Sequence, residues 1–165
     1  MRNLLAPVVL VAAAVSGVAA WQQSEIDRVL WNFNGAIVTT TDVWQARQLK
    51  LVPTDADSDD KILRALQNRQ LILMEVKRVP PSLPAADDVE SRRREWEATL
   101  GAGADVRGLL TKAGMSQKAC DTWITDDLRI RAYLRERFGM LPETERGART
   151  DEWLRGLRQR AGLGR

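Results

Sequence analysis

The strongest fold signal in the sequence is the stretch Arg28-Val-Leu-Trp-Asn-Phe-Asn-Gly-Ala-Ile-Val-Thr-Thr40. Two runs rich in β-branched and aromatic residues, typical of strands, flank Asn34-Gly35. Asn-Gly tolerates positive φ at both central positions of a tight turn, so the stretch predicts a β-hairpin. Leu30 interrupts the apolar alternation of the first strand, and the turn is therefore the firmer part of the prediction.

The rest of the chain predicts helices. Thr41 followed by Asp42 is a plausible N-cap with a carboxylate in the first turn. Apolar periodicity, caps and breakers together predict helices over about 42–51, 58–79, 84–100, 105–113, 116–138 and 151–161. The expected fold is mainly α: an N-terminal β-hairpin, about five helices, and a C-terminal helix that packs back on the domain.

Composition argues against most enzyme chemistry. The 165 residues include no histidine and one cysteine, Cys120. These counts exclude His-dependent nucleophile systems, an intramolecular disulfide and a Cys-rich zinc site. Cys120 is expected to be a small buried apolar residue on the fifth helix. No catalytic residue, cofactor or metal is predicted.

The first twenty residues resemble a targeting segment. One basic residue, Arg2, precedes an apolar run that closes with Ser16-Gly-Val-Ala-Ala20. This order predicts a secretory signal peptide over residues 1–20, with cleavage after Ala20, and hence a periplasmic or otherwise exported protein. The alternative is a short uncleaved anchor, which would hold the protein at the inner membrane, facing the periplasm; only then would a membrane be a partner.

Charge in the remaining chain is balanced except near its C-terminus. Residues 140–165 hold six arginines against four acidic side chains. On an amphipathic helix of an exported protein, these arginines indicate a solvated face, so nucleic acid is not expected as a partner. Arg92, Arg93 and Arg94 lie among acidic residues and are likewise expected to point outward and pair along their own helix.

The opening of the predicted hairpin carries a resemblance to a known family. Residues 26–39, followed by Thr41-Asp42, resemble the start of the SurA/PpiC/PpiD-type N-terminal chaperone domain. The helix around residues 60–75, Ala113-Gly-Met-Ser116, Arg137-Phe-Gly139 and Trp153-Leu-Arg-Gly-Leu-Arg158 resemble later parts of that domain in the same order. The resemblance covers residues 25–160 and implies one SurA-N-like domain over residues 21–165.

The resemblance implies a polypeptide-binding domain and has two departures from the family pattern. Trp31 and Asn32 replace residues that are usually small or aliphatic. Family members usually carry parvulin prolyl-isomerase domains before the last helix, whereas residues 139–150 are expected to be a short linker of twelve residues. A domain needs about a hundred. The sequence therefore predicts the substrate-holding part of the family without the isomerase.

The unusual aromatic balance points to candidate contact residues. Six tryptophans accompany one tyrosine and two phenylalanines. A peptide-binding groove is expected between the hairpin, its neighbouring helices and the last helix, with these contact residues: Trp31, Trp44, Trp96, Trp153 and Leu157. Core positions for these tryptophans are the alternative.

The expected partners are unfolded, outer-membrane or secreted polypeptides. The competing hypotheses are a prolyl isomerase, an adaptor for a separate parvulin-type or secretion component, and an anionic-membrane or nucleic-acid binder acting through the last helix.

Overall fold

A computed structural model of the chain describes residues 27–163. The described residues form two strands and six helices: β1 (Val29–Phe33), β2 (Ala36–Thr39), α1 (Thr40–Gln48), α2 (Asp59–Arg78), α3 (Ala86–Leu100), α4 (Val106–Lys112), α5 (Gln117–Phe138) and α6 (Glu143–Arg160). The predicted fold class, mainly helical with an N-terminal hairpin, is confirmed. The predicted signal segment, its cleavage site and Trp21 lie outside the described residues.

The hairpin forms where the sequence predicts it. Phe33 pairs with Ala36 across the turn, and Asn34 and Gly35 both have positive φ, at 48° and 81°. The register is interrupted between Val29 and Trp31. This irregularity accounts for Leu30, the residue that breaks the alternation of the first strand, because an extra residue in one strand shifts the side-chain order.

The cap of α1 differs from the prediction. Thr39, not Thr41, is the N-cap: its hydroxyl accepts from the amide of Asp42 at 3.2 Å, while the Asp42 carboxylate accepts from the Thr39 amide at 2.8 Å. This reciprocal capping box satisfies two otherwise unpaired amides. The helix also ends earlier than predicted, at Gln48, and Lys50 follows with a φ of 48°.

Helix α2 is central, as its broad apolar face predicts. Ser58 caps it, and Leu66 and Leu71 pack in an apolar cluster with the hairpin and α1. Ile72 and Val76 pack in a second cluster with α5. Because one helix supplies residues to both clusters, α2 joins the hairpin side of the molecule to its helical side.

Arg92 and Arg93 of the α3 triplet pair within their own helix as predicted, but they do not point outward. Arg92 Nε donates to Asp127 at 2.6 Å, and Arg93 donates to Asp121 at 2.6 Å, both across to α5. Each also has a partner within α3, but only Arg94 is exposed. Two of the three arginines therefore help to hold α3 against α5.

The C-terminal helix is longer than predicted. Helix α6 begins at Glu143, after Pro142, so most of the expected linker over residues 139–150 is helical. Glu143 and Glu145 favour this start because negative charge stabilises the first turn of a helix. Further along, Leu157 is buried in the cluster that contains Trp31 and Val38, so α6 packs back on the hairpin side as expected.

Among residues 27–163, no helix is both long and apolar enough to cross a membrane.

Candidate functional site

Trp44 is the large aromatic side chain most open to solvent among the described residues. Its neighbours along α1, Val43 and Ala46, are buried, which places Trp44 at the edge of the packed face. The side chain is 43% exposed. It lines hollows on two sides, and these provide the main candidate site.

The first of these, the hairpin hollow, lies between the hairpin, α1 and the start of α2. It has a volume of about 290 Å³ and these lining residues: Arg28, Leu30, Thr40, Val43, Trp44, Arg47, Asp59, Asp60 and Leu63. Leu30, Leu63 and Trp44 supply an apolar surface. An ion pair between Arg47 and Asp59 lies at the rim. The hollow thus combines apolar contact with a rim that carries both signs of charge.

The second, the α4 hollow, lies between α1 and the end of α4. It has a volume of about 510 Å³ and these lining residues: Asp27, Thr40, Thr41, Trp44, Gln45, Thr111, Lys112, Ala113 and Gly114. Gln45 bridges its walls by donating to the Ala113 carbonyl at 3.0 Å. Asp27 accepts from the Thr41 amide at 2.9 Å, and this hydrogen bond lowers the pKa of Asp27 below its usual range.

Three of the five residues predicted to contact peptide lie in the interior instead. Trp31, Trp96 and Leu157 are buried. Trp31 stacks on Phe33 with 6.2 Å between ring centroids, and Trp96 donates from its indole nitrogen to the Leu49 carbonyl at 2.8 Å. In this conformation these side chains stabilise the fold and are not accessible to a peptide.

The accessible tryptophan, Trp44, does not lie in the groove that was expected between the hairpin and the last helix. Trp31 and Val38 from the hairpin and Leu157 from α6 belong to one continuous buried cluster. The hairpin and α6 therefore share a core at this position. The hollow that does open beside the hairpin lies against α1 and the start of α2, at Trp44.

Trp153, the fifth predicted residue, lies in a separate place. Its ring is 6.0 Å from that of Tyr133 and 5.7 Å from that of Phe138, between centroids, and the Arg137 guanidinium lies 5.1 Å from its centroid. It lines what we call the tip hollow, at the turn between α5 and α6, with Phe138, Met140 and Leu141. The tip hollow has a volume of about 530 Å³ and shares no lining residue with the two hollows at Trp44.

A further hollow of about 390 Å³ lies between α3, α5 and the connector before α3. Leu83 and Leu128 contribute apolar surface to it, but three arginines and three carboxylates also line it: Arg92, Arg131, Arg135, Asp88, Glu95 and Glu136. This density of charge suits an apolar ligand less well than the surface around Trp44, because each charge would lose water on binding.

A partly buried charge cluster between α2 and α5 was not predicted from the sequence. The Arg69 guanidinium lies 3.8 Å from the centroid of the Trp123 ring and donates to the Trp123 carbonyl at 2.8 Å. A carboxylate oxygen of Asp127 lies 3.8 Å from the Arg69 guanidinium, and Asp127 also accepts a hydrogen bond from Arg92. Burial lowers the pKa of Arg69 to about 10. Each charged group lies near a group of opposite charge or a hydrogen-bond partner. The cluster therefore holds helices together.

Among the described residues, the single cysteine is not an activated nucleophile. The chain has no histidine. Cys120 is fully buried, and burial raises the pKa of its thiol to about 11, which disfavours the nucleophilic thiolate. Within residues 27–163, no group of three or more Cys, Asp or Glu side chains could hold a metal ion. What the surface does offer is exposed apolar contact at Trp44.

Fold and site together describe a small helical protein with an N-terminal hairpin and a solvent-exposed tryptophan between two hollows. The chain matches no protein-family model, no curated protein and no solved structure.

Proposed function

We propose that this protein is an exported, periplasmic chaperone-like protein that binds apolar segments of unfolded or extended polypeptides without catalysis. The observation that carries the proposal is Trp44, a large aromatic side chain left 43% exposed between the hairpin hollow and the α4 hollow. The resemblance of residues 25–160 to the SurA/PpiC/PpiD-type N-terminal chaperone domain supports the same function.

The energetics fit weak and adaptable binding. Covering the exposed part of one tryptophan contributes about 2 to 3 kcal/mol. A micromolar Kd requires about 8 kcal/mol, so a client must also contact the apolar walls of the two hollows. Leu30 and Leu63 provide such walls on one side. Apolar and aromatic contacts of this kind discriminate poorly between sequences, which suits a protein with many clients.

The connection between α5 and α6 supports a non-catalytic function. Phe138 ends α5 and Glu143 begins α6, so only residues 139–142 separate the two helices. A parvulin domain, inserted at this place in the family that the sequence resembles, has no room here. The signal-like residues 1–20 are the basis for the exported location within this proposal.

The test is suppression of aggregation by the purified protein. An unfolded outer-membrane protein is diluted from urea with and without a several-fold excess of the chain, and light scattering is followed. We expect scattering to fall with the wild type and to stay high with Trp44→Ala. Met140→Ala is the matched control, because Met140 is 97% exposed but lies at the tip hollow. Equal behaviour of wild type and buffer would contradict the proposal.

One observation favours a second candidate function, an adaptor for a separate parvulin-type or secretion component. The exposed Met140 and the half-buried Trp153 form an apolar surface at the α5–α6 turn, the place where the resembling family carries its isomerase. A pull-down that returns one stoichiometric partner, lost with Met140→Asp and kept with Trp44→Ala, would favour the adaptor. A proline-peptide assay distinguishes both functions from an isomerase.

A further inference from the structure

Arg137 lies over the aromatic wall of the tip hollow. Its guanidinium is 5.1 Å from the centroid of the Trp153 ring and 5.6 Å from that of the Phe138 ring. Ring faces attract a cation without neutralising its charge. Because the planar guanidinium is oriented in this way before a ligand arrives, little side-chain freedom is lost when it pairs with an anion.

The residues that line the tip hollow carry a net positive charge. Arg137 and Arg149 are basic, and Glu152 is acidic. Glu152 pairs with Arg149 at 3.0 Å. None of the ion pairs in the described part of the chain involves Arg137. An anion that enters the hollow therefore meets a charge that no described carboxylate pairs.

An apolar surface open to solvent lies beside this charge. Met140 is 97% exposed, and Leu141, Phe138 and Trp153 line the same hollow. With a volume of about 530 Å³, the hollow has the size common for sites that hold a small ligand. The site thus suits a group that joins one apolar side chain to one negative charge.

We infer that the tip hollow binds the C-terminal residue of another polypeptide, with its carboxylate on Arg137 and its apolar side chain against Met140 and Trp153. A C-terminal residue carries both groups on a single Cα, so both reach adjacent parts of one small site. An acidic residue inside a chain instead offers its carboxylate in place of an apolar side chain, and the next side chain of an extended segment points to the opposite face.

This inference does not rest on the chaperone function at Trp44. The tip hollow shares no lining residue with the two hollows at Trp44. Binding of one chain end also leaves the apolar segments that aggregate uncovered, so Met140→Ala remains a control for the aggregation test. What the inference adds is the chemistry of the partner that the adaptor function requires.

Binding is tested by NMR titration of the full chain, because the indole N–H signals report on each tryptophan separately and weak binding still shifts them. The probe is a six-residue peptide of Gly and Ser that ends in Phe with a free carboxylate. Two amidated peptides are its controls: the same sequence, and one with Asp two residues before the Phe, which places an acidic side chain on the same face. We expect the free acid to shift the Trp153 signal and to bind about fivefold more tightly than either amide.

Three outcomes of this titration would overturn the inference. The first is an unshifted Trp153 signal. The second is an equal Kd for the free acid and its amide, which would show that the carboxylate is not bound. The third is an Asp peptide that binds as tightly as the free acid, which would show that an acidic side chain serves as well as a chain end.

The variant Arg137→Gln tests which group binds the carboxylate. It removes the charge and keeps a long side chain, so we expect the Kd of the free acid to rise about fivefold and that of the amide to stay unchanged. Arg94→Gln, at an exposed position on α3 outside the tip hollow, is the matched control and should alter neither Kd. If Arg137→Gln weakened both peptides by the same factor, the charge would not be the binding group and the inference would be wrong.

Two further variants separate this site from the one at Trp44. Met140→Ala removes apolar contact alone and should weaken the free acid and the amide equally. Trp44→Ala should leave the Kd measured at the Trp153 signal unchanged. A protein that fails to suppress aggregation, yet binds the free acid in this way, would overturn the chaperone function and support the tip site; suppression of aggregation without a shift at Trp153 would do the reverse.

Discussion

The indole nitrogen of Trp96 donates a hydrogen bond to the main-chain carbonyl of Leu49 at 2.8 Å, and both residues are buried. Leu49 is the C-cap of α1, where helix carbonyls lack partners within the helix. A side chain of α3 therefore completes the end of a helix that lies 47 residues away in sequence. Trp96 therefore acts in the fold at this junction, whereas Trp44 is 43% exposed.

Replacement of Trp96 by Phe keeps an aromatic ring and removes the donor. We expect the free energy of unfolding to fall by about 1 to 3 kcal/mol, because the Leu49 carbonyl stays buried without its partner. Urea denaturation followed by circular dichroism measures the change. Trp44→Phe is the control and should fall within about 0.5 kcal/mol of the wild type, since it alters a surface side chain. Equal losses in the two variants would contradict the assignment.

The sequence predicts the elements whose signals are local. Asn34-Gly35 identifies the turn, and Ser58 and Ser116 mark the starts of α2 and α5 correctly. The start of α6 was not predicted because residues 143–150 carry no apolar period. The helix forms there because acidic residues favour its first turn and because it continues into the part of α6 that packs through Leu157. The choice between Thr39 and Thr41 as a cap depends on the exact end of β2, which the sequence does not specify.

Contacts between distant elements limit what the sequence shows of the candidate site. Arg92 pairs with the carboxylate of Glu95, three residues away, and also reaches Asp127 on another helix; nothing in the local pattern separates the two arrangements. The same holds for tryptophan. Trp44 and Trp96 both lie on helices with many polar residues, yet one is exposed and the other is buried. Which of them faces solvent is decided by how α1 and α3 pack, not by their neighbours in sequence.

The capping box of α1 gives a paired prediction. Thr39→Ala removes the hydroxyl that accepts from the Asp42 amide, and we expect a loss of about 1 kcal/mol in the free energy of unfolding. Thr41→Ala is the matched control, since the bond between Thr41 and Asp27 uses the Thr41 backbone amide and survives the change. Thermal and urea unfolding measure both. A larger loss in Thr41→Ala than in Thr39→Ala would contradict the assigned cap.

Burial of Cys120 predicts a pH dependence of stability. Burial raises the pKa of its thiol from 9.0 to about 11 in the folded chain. Between these values the folded state holds a proton that the unfolded state has lost, so this contribution to stability is present below pH 9 and is lost as the pH rises to 11. Two pKa units correspond to about 2 to 3 kcal/mol.

Comparison with Cys120→Ala isolates this contribution, because every other titrating group is common to both proteins. The variant is expected to start from a lower stability at pH 8, owing to the small cavity, and to lose less between pH 9 and 11. Urea midpoints at several pH values measure the difference. Parallel pH profiles for the two proteins would show that the thiol does not titrate as proposed.

Two glycines predict opposite effects of the same substitution. Gly35 has a φ of 81° in the hairpin turn, where an L-residue costs roughly 1 to 2 kcal/mol, so Gly35→Ala is expected to destabilise the protein. Gly147 lies in the exposed first half of α6, and a Cβ added there meets no atom within 4 Å apart from its chain neighbours and the backbone of its own helix. Alanine is favoured over glycine in a helix by about 1 kcal/mol, so Gly147→Ala is expected to stabilise α6. Urea unfolding of both variants measures whether the free energy of unfolding rises or falls. A rise in Gly147→Ala is the more informative result, because most substitutions destabilise a protein. If Gly147→Ala left stability unchanged while Gly35→Ala lowered it, the first turns of α6 would not be helical in solution, and the linker expected from the sequence over residues 139–150 would be restored.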